Sequence, residues 1–552
     1  MAGTSTSLNL LQEVLKLRRH LDLSGFQPFP LVTAAEECAV CNGPLVIFRH
    51  RPRPLQTLQS KRLVVAKDKT CHNPECSQYK KPVRPVEASL LPMVRGSHYG
   101  LDVVAYIGEQ RLTAGRALAE VHRELDEKFG VRISERHVAN LFRIFLALVH
   151  CVNAEVDPLR QRLMKQGKLI LSIDGVFFDD VSPALYVVRD LISNEILFSE
   201  RVDCRDQKHI SALLRRVRAL GIPVVGIVSD KEHALVASAE EVYPEVPHQF
   251  CQTHYLKNIT KLMEADLAEL ASAVTTASTQ LRKIDRELNQ RAEAADSTPA
   301  EKAMAKKLID VAKAAAKTSG DAILNPPPLK RMERLQQVET FAEAAAAKPG
   351  GQWTLLASVV AVLSVVVQQT ALVNRLRFEV GVVRKIAHIL KSTSAVSQVR
   401  RVLSTYLNKL ERGAPTRGRG APRGDFMRAV VNLSNRYWPG LFHCYEIAGL
   451  PRNNNDLEQT FNVIKRMERK ATGRKSTVGG PLESCAEFVL EAWSSLDAHP
   501  QVLNLLKDIP PDRLMAARKE LENLANPAKS RRSIQRDPER HLDGALDEWL
   551  DP

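Results

Sequence analysis

Residues 168–175 read KLILSIDG and residues 223–230 read PVVGIVSD, two short runs rich in β-branched and aliphatic residues, each ending in an aspartate or just after one. Run length and composition predict strands. In the first, Leu171 and Ile173 face one way while Ile170, Ser172 and Asp174 face the other. Between the two runs lie ALYVVRD, EILFSERV and then DQKHISALLRRVRALG, whose Ile210, Leu213, Leu214 and Val217 recur at helical spacing. The predicted order is strand, strand, strand, helix, strand. With the first and fourth strands as neighbours in one sheet, Asp174 and Asp230 come side by side. Two carboxylates that close repel unless divalent cations sit between them. Aspartate also starts turns, and for a single one that reading would do. Two in this strand order point instead to metal binding. Asp179 and Asp180 in FFDDVSPALY read as hairpin-turn residues.

A third acid stands far along the chain, in NNNDLEQTFNVIKRMERKATGRKS at 453–476. Glu458 begins a helix in which Phe461, Ile464 and Met467 make the inward stripe. Lys465, Arg466, Arg469, Lys470, Arg474 and Lys475 surround it. A carboxylate at the head of a basic helix suits a site that holds both metal and phosphate. Asp456 reads as the helix cap.

These segments together, with PHQFCQTHYLKNI (247–259) and a helical stretch between them, resemble the DDE transposases, most closely the Mutator-like and IS256-like groups of insertion-sequence transposases. The resemblance covers about residues 165–262 and 440–480. It implies a ribonuclease H-like α/β core interrupted by an all-α insertion, with Asp174, Asp230 and Glu458 as an acidic triad holding Mg²⁺ (or Mn²⁺). Cys251 and His254 match that group's C-x2-H signature and take an auxiliary role in it. On residue type alone, Cys251 reads as a small core residue and His254 as a hydrogen-bonded one. Lys231 departs from the group, which usually has glycine there.

Upstream, Cys38-x2-Cys41 and Cys71-x4-Cys76 form two knuckles, with Gly43-Pro44 and Asn73-Pro74 supplying turns. Four thiolates are what a closed tetrahedral Zn²⁺ site requires, and His72 is an alternative ligand. Residues 115–148 then read as a helix-turn-helix, with Gly130 closing one helix and Ser134 capping the next. Arg132, Arg136, His137 and Asn140 lie at the leading end of the second, where Arg and Asn can read base edges. A plain helical bundle with solvated polar residues is the alternative.

The chain has 552 residues, with 78 Lys+Arg against 63 Asp+Glu and a formal charge of +15. Length allows several domains: an arm (1–30), a zinc ribbon (31–90), a helical DNA-binding domain (91–160), a first core segment (165–262), a helical insertion (263–440), a second core segment with the third acid (441–500) and a charged tail (501–552). The charge favours a polyanion such as double-stranded DNA. Nine cysteines, four of them clustered, fit a reducing cytosol rather than a disulfide framework, and no secretory signal is evident. The uncharged stretch 349–374, with TLLASVVAVLSVVV, is too short and too polar for a membrane span and reads as a helix buried in a domain. ERGAPTRGRGAPRG (411–424) reads as a basic surface loop, with Arg417-Gly418-Arg419 open to a minor-groove role.

The resulting expectation is DNA strand cleavage and strand transfer at the ends of a mobile element, by a nucleoid-associated homo-oligomer. A DNA-binding regulator with an inactive core, and a nuclease without a joining step, are the alternatives.

Overall fold

In the computed structural model, the residues described are 25–86, 93, 97–154, 156–177, 184–202, 207–290, 298–347, 354–367, 369–473, 485–498 and 501–524. They form a mixed α/β structure, mostly helical. The chain clusters into two compact units, one of Met1–Leu169, Asp174–Pro223 and Asp456–Pro552, the other of Ile170–Ile173 and Val224–Asn455. Asp179, Asp180, Arg474 and Lys475 lie outside the described residues, as do the first 24 positions and those beyond 524.

The first unit begins with strands β1 (Gln27–Val32), β2 (Leu45–Gln56), β3 (Lys61–Cys71) and β4 (Pro82–Val83). β3 lies between β1 and β2, parallel to the former and antiparallel to the latter. Asp68 is buried in β3, and the Arg51 guanidinium on β2 meets it with two hydrogen bonds of 2.6 and 2.8 Å. A buried carboxylate requires such a partner. Three helices follow, α1 (Leu101–Leu112), α2 (Leu118–Phe129) and α3 (Glu135–Asn153). Gly130 ends α2 at φ +60°, a left-handed conformation that suits glycine, and the Ser134 hydroxyl accepts from the His137 N–H to cap α3. The buried Gln56 donates to Gly130 O at 3.0 Å, so the end of β2 braces the turn between α2 and α3.

After α4 (Val156–Gln166), the chain enters a five-stranded sheet of β5 (Leu169–Phe177), β6 (Ala184–Asp190), β7 (Ile196–Val202), β8 (Val224–Ser229) and β9 (His248–Phe250), in the order β7-β6-β5-β8-β9. Helix α5 (Gln207–Arg218) separates β7 from β8 and buries Ile210, Leu213, Leu214 and Val217, the face read from the sequence. The first and fourth strands are therefore sheet neighbours. β9 lies within PHQFCQTHY and is too short to show an alternating pattern.

In the second unit, α6 (His233–Val242) and α7 (Gln252–Lys261) lead into long helices α8 (Glu264–Gln290), α9 (Pro299–Ala316), α10 (Pro327–Ala346), α11 (Thr354–Val367), α12 (Thr370–Leu390), α13 (Val396–Arg412) and α14 (Ala421–Tyr437) around a shared apolar core. Two expectations are corrected here. α11 is not wholly enclosed: Val359 and Leu363 are buried, but Ala357, Ser358 and Ala361 are exposed, because one apolar stripe is all the neighbouring helices cover. No helix among the described residues is long and apolar enough to cross a membrane. Residues 411–424 are also more ordered than a loop. They hold the end of α13, a 3-10 turn at Gly418–Gly420 and the start of α14. A side chain at Gly424 would collide with Pro415 O, so glycine permits that close return.

The first unit's helical core is completed by α15 (Asn455–Thr472), α16 (Ala486–Ala498), α17 (Val502–Leu505) and α18 (Pro511–Leu524). Within the stretch read as a charged tail, α18 packs Leu514, Ala517 and Leu521 inward. His150 on α3 stacks on Phe488 and pairs with Glu491 at 2.7 Å. Burial first, and the neighbouring Glu491 second, push the Glu487 carboxyl up from 4.5 to about 8. An acid with a raised folded value binds its proton more tightly when folded. Its contribution is thus present below the unfolded value and is lost as pH rises towards 8. Glu487→Gln should accordingly leave the melting temperature near that of the wild type at pH 5 and raise it relative to the wild type at pH 8, as read by thermal denaturation across that range.

Candidate active site and metal centre

The four cysteines come together. Cys38 and Cys41 lie on the turn before β2, Cys71 ends β3 and Cys76 follows it. Their sulfurs all lie within 4.8 Å of one another, with Cys38–Cys76 at 3.8 Å and Cys41–Cys71 at 3.6 Å. A tetrahedron with metal–sulfur bonds of ~2.3 Å has edges of ~3.8 Å, so the cluster has the dimensions of a Zn²⁺ site. Asn42 and Lys80 adopt positive φ at the two turns that wrap it. The Gly43 N–H lowers the Cys41 thiol to about 7, and the Val40 and Cys41 N–H groups lower that of Cys38. Asn73 and Gln78 offer N–H groups to Cys71 and Cys76, though burial and the adjacent sulfurs push these two thiols up. Peptide N–H groups aimed at sulfur favour thiolates, the form that binds metal. His72 is exposed and outside the cluster.

Among the described residues, this is the one group of three or more His, Cys, Asp or Glu ligand atoms so close together, so the three acids are not gathered to that degree. Asp174 lies in β5, largely buried, and its Oδ1 accepts from the Gly175 N–H at 2.9 Å. Asp230 directly follows β8 and is half-exposed; its Oδ1 accepts from the Glu232 N–H at 3.3 Å, the turn role open to any aspartate. Glu458 stands half-exposed in the first turn of α15. Asp456 is a second residue of that helix rather than its cap, because α15 starts at Asn455. Its charge instead attracts Arg189, a buried β6 residue that donates to Thr460 Oγ1 at 3.2 Å.

The segment leading into α15 is held in the second unit by close packing. A side chain at Gly449 would meet Ile170, one at Gly226 would meet Leu450, and Arg452 donates to Leu390 O and Ser392 O at the end of α12. Asn454, 1% exposed, donates through Nδ2 to Ile173 O at 2.9 Å, accepts from the Ser172 hydroxyl, and sends its own N–H to Cys251 Sγ at 3.4 Å. Asn454 and Ser172 were missed by sequence reasoning. The available signals were a serine inside an apolar strand and three consecutive asparagines.

Cys251 is fully buried before α7, and its N–H donates to Ser229 O at 2.8 Å. His254 is half-buried in the first turn of α7. Ser229 is enclosed too: its hydroxyl donates to Asp230 O, which leaves His248 Nε2–H to donate to Ser229 Oγ at 2.7 Å. Burial, helped by His443, lowers His248 to about 4. Lys231 sits 5.6 Å from the ring centres of both Phe250 and Tyr437, a cation–π setting that accommodates a long side chain beside Asp230.

Of the residues read as DNA contacts, Arg132, Arg136, Arg466, Arg469 and Lys470 are exposed or partly so. His137 and Asn140 are half-buried, and His137 packs on Tyr99 with ring centres 5.3 Å apart. Lys465 is half-buried, and Lys470 donates to Ala114 O at 3.2 Å. Arg111 pairs with Glu468 at 3.1 Å, which together with the Lys470 contact holds α15 against the end of α1.

Residues 187–324 match the family described as "Transposase, Mutator family". That stretch, about a quarter of the chain, is what is similar to the family. The match takes in Asp230, Cys251 and His254 and stops short of Asp174 and Glu458. No curated protein matches the chain. A solved structure described as "Drosophila P element transposase strand transfer complex" is similar over 73% of this chain and 92% of that chain, at 10% identity and a TM-score of 0.31. A likeness that loose carries no argument.

The purified protein is expected to carry one zinc per chain by elemental analysis, with Cys38→Ser or Cys71→Ser reducing it towards zero and lowering the melting temperature.

Proposed function

We propose that the chain is a DDE-type transposase that cleaves DNA at the ends of a mobile element and joins them to a target, with Asp174, Asp230 and Glu458 as its metal-holding acids in a ribonuclease H-like core. The observation that carries this reading is the register of β5 and β8. Leu169 N donates to Pro223 O at 2.8 Å, so the two strands start together. Five residues further along β5 is Asp174, and a similar count along β8 reaches Ser229 and Asp230. By alternation, Asp174 shares a strand face with Ile170 and Ser172, and Asp230 shares one with Gly226 and Val228. Ile170 and Gly226 are covered by Gly449 and Leu450, in the segment that runs into the helix bearing Glu458. The strand order β7-β6-β5-β8-β9 and the Mutator-family match support the same reading.

Three carboxylates are an all-oxygen donor set, which fits Mg²⁺ (or Mn²⁺). Bound there, the ions would supply activation of the attacking oxygen and stabilisation of the leaving one. The protein's own role is to hold strand ends and helix in register and to grip phosphate with Arg466, Arg469 and neighbouring cations. The cysteine ribbon and α2–α3 would recognise double-stranded DNA at the element ends through Arg132 and Arg136. Joining two ends favours a homo-oligomer, and the DNA substrate a nucleoid location.

Glu458→Gln is expected to reduce strand cleavage at least about a hundredfold in a Mg²⁺-dependent assay while DNA affinity changes little. Cleavage retained in that variant would remove Glu458 from the reaction. The double change Arg466→Ala, Arg469→Ala should flatten the dependence of log affinity on log salt by about 2, since each phosphate contact contributes ~0.9. The second reading is a DNA-binding regulator with an inactive core; it draws on the cysteine cluster and the net charge of +15. It predicts salt-dependent DNA binding and no strand-transfer product on a target plasmid.

A further inference from the structure

We propose that Asn454 is a positioning residue that sets the mutual register of the three acid-bearing segments. This rests on the acidic-triad reading above, but its observations are separate from those that support the triad. A helix-capping asparagine turns its oxygen to the N–H groups of the first helical turn. Asn454 immediately precedes α15 yet points its amide elsewhere, to Ile173 O and the Ser172 hydroxyl on β5.

Ile173 is the residue before Asp174. The Asn454 N–H reaches Cys251 Sγ, and the Cys251 N–H is bonded to the carbonyl of Ser229, the residue before Asp230. Glu458 follows Asn454 by four residues, about one helical turn. One buried residue thus touches the backbone next to the first acid. It is two bonds from the backbone next to the second, and it starts the turn that presents the third. The same contacts assign a purpose to Cys251: its sulfur accepts the Asn454 N–H in a place closed to water. Mg²⁺ demands near-octahedral oxygen geometry and dehydrates reluctantly. A small slip between strand and helix therefore weakens metal binding before it unfolds anything.

The test uses the full-length, zinc-loaded protein. Asn454→Asp keeps the shape of the side chain but replaces the N–H aimed at Ile173 O with an oxygen that repels it. Ser172→Ala removes one bond and is the milder variant should the first fold poorly. Strand cleavage is measured against Mg²⁺ concentration, with Mn²⁺ in parallel. The Mg²⁺ needed for half-maximal rate is expected to rise about tenfold in Asn454→Asp and by a smaller factor in Ser172→Ala, as when a group supporting a metal ligand is lost.

A purely structural role would reduce the amount of active protein and scale the rate, leaving that midpoint in place. An unchanged midpoint in both variants overturns the proposal. If the wild type shows no Mg²⁺-dependent cleavage, the triad reading falls, and hydrogen exchange at residues 170–174 and 455–458 decides the clamp. Faster exchange in Asn454→Asp upholds it, and unchanged exchange refutes it.

Discussion

Polar groups removed from water must be met inside the protein, and Asn454 meets that demand with contacts on β5 and beside α7. An asparagine so enclosed can make these bonds in one arrangement only, because its donors and acceptors are fixed in a plane. The loop that carries it is pinned further by Gly449 and Leu450 on the sheet and by Arg452 on the end of α12. A stretch more than two hundred residues downstream of β8 is thereby returned to the central strands. The helical insertion can be long because its two ends are held by these contacts and not by its own length.

Most of the architecture could be read from periodicity. The faces of α5 and α15 followed from apolar spacing, and the strand order followed from two β-rich runs ending in acids. The neighbour relation of β5 and β8 could be stated only as a condition, since pairing between distant strands leaves no mark on local pattern. β9 escaped notice because three residues carry no period. α11 misled because an uncharged run shows which residues can be buried, not how many neighbours arrive to bury them.

The candidate site was legible in its ionisable groups and illegible in its scaffolding. Aspartates at strand ends and paired cysteines announce themselves by type and spacing. Ser172, Ser229, His248 and Asn454 work through partners that local pattern does not reveal, and each has an unremarkable identity. Asp456 shows the converse error: local rules favoured it as a cap, but the tertiary bonds of Asn454 moved the helix start upstream and left Asp456 to Arg189.

At the cysteine end of β2 and β3, Cys38, Leu45, Cys71 and Cys76 form a small buried cluster, while Leu55, Leu63, Val64 and Ala66 are buried further along the two strands. So little hydrocarbon at that end cannot hold the two cysteine knuckles by itself. The shape of this end therefore hangs on thiol chemistry, whereas Gln56, which braces the turn between α2 and α3, lies at the opposite end of β2. Oxidants or chelators would dismantle the knuckles while sparing the strands beyond them, which ties the shape of this end of the ribbon to redox state and metal supply.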